Sequence, residues 1–251
     1  MANYERLFRE ARGELIIGAD GDDISEPNRV SRIVQEWVRG GKKAMVIFHN
    51  GWKIDGRGRV LGEVGKRSVS APLGACMAYS PRCVRDFHSG SIKGCYQDHV
   101  LGRRGVMIGG EAASLYIDDH LVRYRIGSGD SSVLTHRRTP ELRAAMARDA
   151  GWRQSLLDIY FAKEHGIIDE LTFDVLRRSY QDAMERNSLF IRLISGSAKD
   201  RLYAYSRLYG RSLRSGLARI PYLFPRRVGD LLYYLYDGLK YLTVSLRYDS
   251  I

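Results

Sequence analysis

The pattern of apolar and polar positions changes character near residues 135–150. Before that point short apolar runs rich in branched side chains alternate with stretches of helical spacing, and beyond it helical spacing continues alone. Residues 14–19 (ELIIGA) read as a short buried strand that ends in acidic turn residues. A helix is expected over 27–37, with Ser25 as its cap, Pro27 in its first turn and Val30, Ile33, Val34 and Trp37 facing inward. Gly40 and Gly41 end it. The spacing predicts a strand over 44–48, then a hairpin whose arms, 52–55 and 59–61, flank the glycine-rich turn at Gly56 and Gly58. A strand over 73–79, helices over 81–87 and 97–108, and a strand pair at 114–117 and 120–124 complete this half.

From residue 139 onward the chain reads as helices: 140–150, 154–164, 170–185, and 190–217 broken at Gly196 and Gly210. After Pro221 and Pro225, leucines at three- and four-residue spacing from Leu231 to Leu246 predict a last amphipathic helix. Strands alternating with helices make the first half an α/β sheet. The expected organisation is therefore an α/β domain over 1–135 and an all-helical region over 136–251.

Composition removes several classes. The chain is 44% hydrophobic and 27% charged, too apolar for wholesale disorder. No run approaches the roughly 18 apolar residues of a membrane span, and residues 1–14 lack the apolar stretch of a signal peptide. Cys76, Cys83 and Cys95, an odd number without metal-ligand spacing, suit small buried hydrophobes and reduced thiols in a cytoplasmic protein. The net charge of +11 is uneven: residues 186–251 carry 12 Lys and Arg against 4 Asp and Glu. Such a region suits an anionic surface.

Candidate chemistry centres on Asp20, Asp22 and Asp23, three carboxylates within four residues after a buried strand. They repel unless a cation or hydrogen bonds offset them. The carboxyl edge of an open α/β sheet is where ligands bind, and hard oxygens suit Mg²⁺ or Mn²⁺. Acidic residues before a helix also serve as caps, so the cluster alone has a purely structural reading.

The string ARGELIIGADGDDISEPNR (11–29) resembles the metal-binding stretch of family 2 glycosyltransferases of GT-A fold, with Gly21 where that family has Ala. GACMAY (74–79) looks like the family's acceptor-side strand. Gln97, Asp98, Leu101, Arg104 and Gly109 are similar to its "E-D-x-x-L-x-x-R-x-x-x-x-G", and YIDDHLVRYR (116–125) to the segment that closes its catalytic domain. The resemblance spans about residues 5–135. It implies a GT-A-like mixed sheet with flanking helices and an inverting, metal-dependent transfer from a nucleoside-diphosphate sugar to a glycan or lipid-linked acceptor, in cell-surface polysaccharide synthesis. Asp22 would be the metal ligand, Asp20 would join it near the ribose and diphosphate, and Asp23 would cap the following helix. Mn²⁺ or Mg²⁺ would neutralise charge on the leaving group.

Asp98 aligns with the family's catalytic base, which deprotonates the acceptor hydroxyl. At a helix start, the dipole is expected to lower its pKa. Arg104 would bind donor or acceptor. His99 and His49 read as structural or solvated. Arg123 and Arg125 share one face of a strand, either near diphosphate or at a solvated edge. Three departures from the family pattern stand out. Only 19 residues precede Asp20, so the expected sheet is N-terminally truncated; Gln97 replaces an acid; and no His follows the closing Tyr124–Arg125. The alternative is thus an inactive remnant acting as a membrane- or partner-binding module.

Nine of the 16 tyrosines follow residue 200 and interleave with arginines. Interfacial tyrosines with basic neighbours suit peripheral attachment at the inner face of a membrane. Helices folded back with a solvated basic face are the plain alternative. No nucleic-acid-binding pattern is present, so nucleic acid is not expected as a partner.

Overall fold

The structure is a computed structural model that describes residues 2–65, 73–87, 95–126, 138–209, 220 and 222–224. It is a mixed α/β fold. Helix α1 (Ala2–Glu10) leads to strand β1 (Ile16–Ile17), the acidic turn, β2 (Ile24–Ser25) and α2 (Arg29–Arg39). β3 (Val46–Ile54) and β4 (Val60–Val64) form the hairpin. A 3-10 turn over Gly74–Cys76 opens β5 (Met77–Tyr79), followed by α3 (Arg82–Arg85), α4 (Gln97–Gly109) and β6 (Ser114–Arg125). α5 (Arg138–Glu164), α6 (Glu170–Ser195) and α7 (Ala198–Tyr209) follow.

The sheet order is β1-β5-β3-β6-β2, with β4 also paired to β3. β3 runs parallel to β6 and antiparallel to β5, which is antiparallel to β1. β1, β3 and β6 therefore run the same way, and their carboxyl ends lie at one end of the sheet. Several expected elements merge. β3 runs unbroken where two strands were expected, because Gly51 leaves room for Val122: a Cβ there would lie 2.6 Å from Val122 Cγ1. β6 is one strand rather than two, with an irregular register at Asp118 and Asp119. α5 likewise joins two expected helices through Gly151, where Arg103 and Cys95 approach closely.

Side chains alternate between two faces. On one, Val46, Phe48, Met77 and Tyr79 pack with Leu101 and Phe8 beneath α4. On the other, Ile47, Ala78, Ile117 and Leu121 pack with Ile33 and Trp37 of α2. Val30 and Val34, expected inward, are exposed, and Arg29 and Glu36 take buried positions instead. Ser25 lies in β2 rather than capping α2, whose N-cap is Asn28.

Two compact units make up the chain. The first comprises Met1–Ser132 with Ala147–Gln181, the second Val133–Met146 with Asp182–Ile251. This differs from the boundary expected at residue 135, because Phe87 and Met107 share a core with Ile159, Ala162, Phe173 and Tyr180. A buried ion pair, Arg104 to Asp158 at 2.7 Å, reinforces it. The second unit is built on Leu193, Ile194, Ala204 and Tyr222, with Asn187 Nδ2 donating to Ala145 O at 2.9 Å. The three cysteines are free and buried. Among the described residues no helix is long and apolar enough to cross a membrane. The 231–246 helix, the break at Gly210 and most of the basic, tyrosine-rich region lie outside the described residues.

α4 reaches β3 through glycine. A Cβ on Gly105 would sit 2.1 Å from Val46 Cγ2, whereas one on Gly56 meets nothing within 4 Å. Gly105→Ala is therefore expected to lower the unfolding free energy by about 1–3 kcal/mol through overpacking. Urea denaturation checks this, with Gly56→Ala near wild type as the control.

Candidate functional site

The carboxyl end of β1 feeds directly into Asp20, Asp22 and Asp23, and a buried cation beneath them organises the turn. Arg29, 2% exposed, donates from Nη2 to Gly18 O and Ala75 O, both at 2.8 Å. Its Nη1 donates to Ser25 Oγ at 3.0 Å and its Nε to His49 Nε2 at 3.2 Å. Four separate segments thus meet on one guanidinium. His49 Nδ1 faces Asn50 O at 2.8 Å. With Nε2 accepting from Arg29, the imidazole is the neutral Nδ1–H tautomer. Burial pushes its pKa down to about 4; the Asn50 bond opposes the shift and the Arg29 charge adds to it. His49 is structural, as expected.

Asp20 and Asp22 are exposed and Asp23 is half-buried. Asp23 does not cap α2. Its Oδ1 accepts from Arg125 N at 2.9 Å, tying the turn to β6. Arg125 then closes over the turn, its Nε donating to Asp22 O at 3.1 Å and its Nη1 to Gly56 O at 3.2 Å. Arg123 pairs with Glu26 at 2.7 Å. Both arginines hold the turn in place. Asp23 Oδ2 is buried and meets no hydrogen-bond donor among the described residues. Burial raises the Asp23 pKa first, the Arg125 bond opposes it, and the neighbouring Asp22 and Asp20 charges raise it further.

Asp98 lies in the first turn of α4. Its Oδ2 accepts from Gly74 N at 3.1 Å and its Oδ1 from His99 N at 2.8 Å. A Cβ on Gly74 would meet Asp98 Cβ at 3.5 Å, ordinary van der Waals contact. The expected lowering of the Asp98 pKa is reversed. Burial raises it, backbone hydrogen bonds only partly offset this, and the charge of Asp20 raises it further. Asp20 and Asp98, 78 positions apart, thus feel each other. His99 is held neutral with a pKa near 4 by burial and by Arg103 and Arg148.

Arg104 is corrected. Expected at the donor, it is 1% exposed and grips Asp158 with Nε and Nη2 at 2.7 and 3.0 Å. Its third contact is Cys83 O at 3.4 Å. A bidentate pair sealed in a core leaves no donor for a ligand. Arg103 beside it is also absorbed, its guanidinium 3.4 Å from the Trp152 ring and its Nη1 donating to Ser155 Oγ at 2.8 Å.

Among the described residues no group of three or more His, Cys, Asp and Glu converges as a metal cluster. The turn offers two exposed carboxylates and a third with an orphaned buried oxygen. Sequence reasoning missed the hub role of Arg29, although the residue ends the acidic motif, and the partnership of Asp158, for which no local signal exists. The chain matches no family model and no curated protein.

Because the folded-state Asp98 pKa lies above its ordinary value of 3.8, folding binds protons in the window above pH 3.8. Stability carried by the protonated form is lost as pH rises through the raised value. The unfolding free energy of wild type relative to Asp98→Asn is therefore expected to fall between pH 4 and pH 7, which urea titrations at the two pH values measure.

Proposed function

We propose that the chain is a GT-A-like inverting glycosyltransferase domain that joins a sugar from a nucleoside diphosphate to a hydroxyl of a glycan or lipid-linked acceptor. The observation that carries the reading is a chain of contacts between the two carboxylate sites. Arg29 Nη2 donates to Gly18 O, two residues before Asp20, and to Ala75 O, whose neighbour Gly74 donates its N–H to Asp98.

In this reading Asp20 and Asp22 would hold Mn²⁺ or Mg²⁺, which would supply neutralising charge for the diphosphate. Arg29 and Arg125 keep the turn rigid. Asp98 accepts the proton of the acceptor hydroxyl; the oxygen bonds to the anomeric carbon from the face opposite the phosphate, the carbon–phosphate oxygen bond breaks, and the nucleoside diphosphate leaves with its electron pair. A raised pKa suits this work, since a more basic carboxylate draws the proton more strongly. Two backbone donors hold it in one orientation.

Calorimetric titration with nucleoside diphosphates and Mn²⁺ tests the donor site. Binding is expected in wild type and its loss in Asp22→Asn. Asp98→Asn should retain that binding while transfer from a nucleotide-sugar donor falls about 10²- to 10⁴-fold, the contribution of a positioned base. The burial of Arg104 favours the second reading, a non-catalytic module, because it withdraws one expected donor contact. Absence of any nucleotide binding would establish that reading.

The basic, tyrosine-rich region supports an acceptor at an anionic membrane surface. Flotation with liposomes containing anionic lipid is expected to carry the full chain upward at low salt and release it at high salt. Recovery of the folded protein only in the bottom fraction would remove the membrane from the proposal.

A further inference from the structure

Beyond α4 the sheet face that covers the core turns polar and aromatic. Val46 and Phe48 lie under the helix, and alternation puts Asn50 and Trp52 on the same face, Trp52 about 13 Å further along β3 at strand spacing. α4 runs against β3, since Gly109 abuts Met45 at the strand's start and Asp98 lies at the helix's other end. Trp52 and Asp98 therefore share the face and the end of the sheet. Glu63 stands opposite Trp52 on β4, and His120 opposite Asn50 on β6.

The His120 ring stacks on Trp52, with centroids 3.9 Å apart and planes 12° from parallel. Glu63 Oε1 is 3.3 Å from His120 Nε2, within ion-pair range but off line for a hydrogen bond, and that nitrogen is buried without another partner among the described residues. The stack pins the indole on one side, yet Trp52 remains partly exposed. Next to it the irregular register of β6 turns Asp118 outward, as bulges beside functional sites do. Asp118 Oδ1 accepts from Asn50 Nδ2 at 2.8 Å, and the Tyr116 hydroxyl, which donates to Asn50 Oδ1 at 2.8 Å, lies 3.1 Å from it. Asp118 Oδ2 is unused among the described residues, on an exposed side chain already held in one orientation.

We infer that Trp52, backed by His120 and flanked by Asp118 and Glu63, is a binding subsite for a pyranose ring of a glycan acceptor. The chemistry matches that ligand. An indole face takes the apolar C–H face of a sugar, and the Asp118 carboxylate, held by Asn50, accepts from its hydroxyl groups with Glu63 at the rim. The platform covers three adjacent strands, about 10 Å across at ordinary strand spacing. The choice of glycan as ligand rests on the sugar-transfer reading above, but its test does not require turnover.

The full chain with ¹⁵N-labelled indoles is titrated with linear tetrasaccharides of glucose, galactose, mannose and N-acetylglucosamine. The Trp52 N–H resonance is assigned by its loss in Trp52→Phe. At least one saccharide is expected to shift the Trp52 signal while leaving Trp37 and Trp152 in place. Asp118→Asn, whose fold is checked by its thermal midpoint, should weaken that binding at least five-fold. No shift with any saccharide, shifts confined to Trp37 or Trp152, or equal binding by folded Asp118→Asn would overturn the subsite. Nucleoside diphosphate titration of the same samples reports the donor site separately. Saccharide binding without nucleotide binding keeps the subsite and removes the transferase; the reverse removes the subsite alone.

Discussion

The guanidinium of Arg29 sits where four segments of the first unit converge, and it locks at one point strands and turns that the sheet already brings near one another. Gly18 follows β1, Ser25 belongs to β2, His49 lies within β3 and Ala75 in the turn before β5. Burying a positive charge is expensive unless its donors are matched, and here Nε, Nη1 and Nη2 each find an acceptor. Among the described residues no carboxylate is hydrogen-bonded to it. Its compensation comes from two carbonyls, a hydroxyl and a ring nitrogen, with the acidic turn contributing at longer range through Asp23 and Asp20. The turn and its counter-charge are therefore layered, the carboxylates outside and the cation beneath. Such layering lets Asp20 and Asp22 stay at the surface without collapsing onto the arginine.

That arrangement explains why the carboxylates behave differently from one another. Asp23 spends one oxygen on β6 and keeps the other out of water, so its environment disfavours ionisation. Asp98 is disfavoured by burial and by Asp20, in spite of the backbone donors that meet it. A helix start by itself stabilises a carboxylate by only about 0.3–1 kcal/mol at exposed positions, which desolvation readily outweighs. Burial beside Gly74 therefore outweighs the helix dipole at Asp98.

The acidic turn was legible because branched apolar residues run directly into carboxylates, a local pattern that survives whatever packs around it. The two-stranded hairpin was legible for the same reason, through Gly56 and Gly58. What escaped was set by tertiary contact. Val30 and Val34 carry the right spacing for an inward face, yet the fan of bonds from Arg29 rotates α2 so that a charged residue points in and the valines point out. Ser25 looked like a cap and became a ligand of that arginine. Arg104 looked like a donor or acceptor contact because nothing near it in the chain announces an acid 54 positions later.

The Arg104–Asp158 contact has a further consequence for how the chain can be divided. α4 carries Asp98 at one end and this ion pair near its middle, with Asp158 supplied by α5. Severing the polypeptide where strands give way to helices would strand a sealed-in cation without its counter-ion, a defect that typically costs about 3–5 kcal/mol. The stretch that looks separable by its periodicity is chemically tethered to the helix following it, so Asp98 and Asp158 stand or fall together.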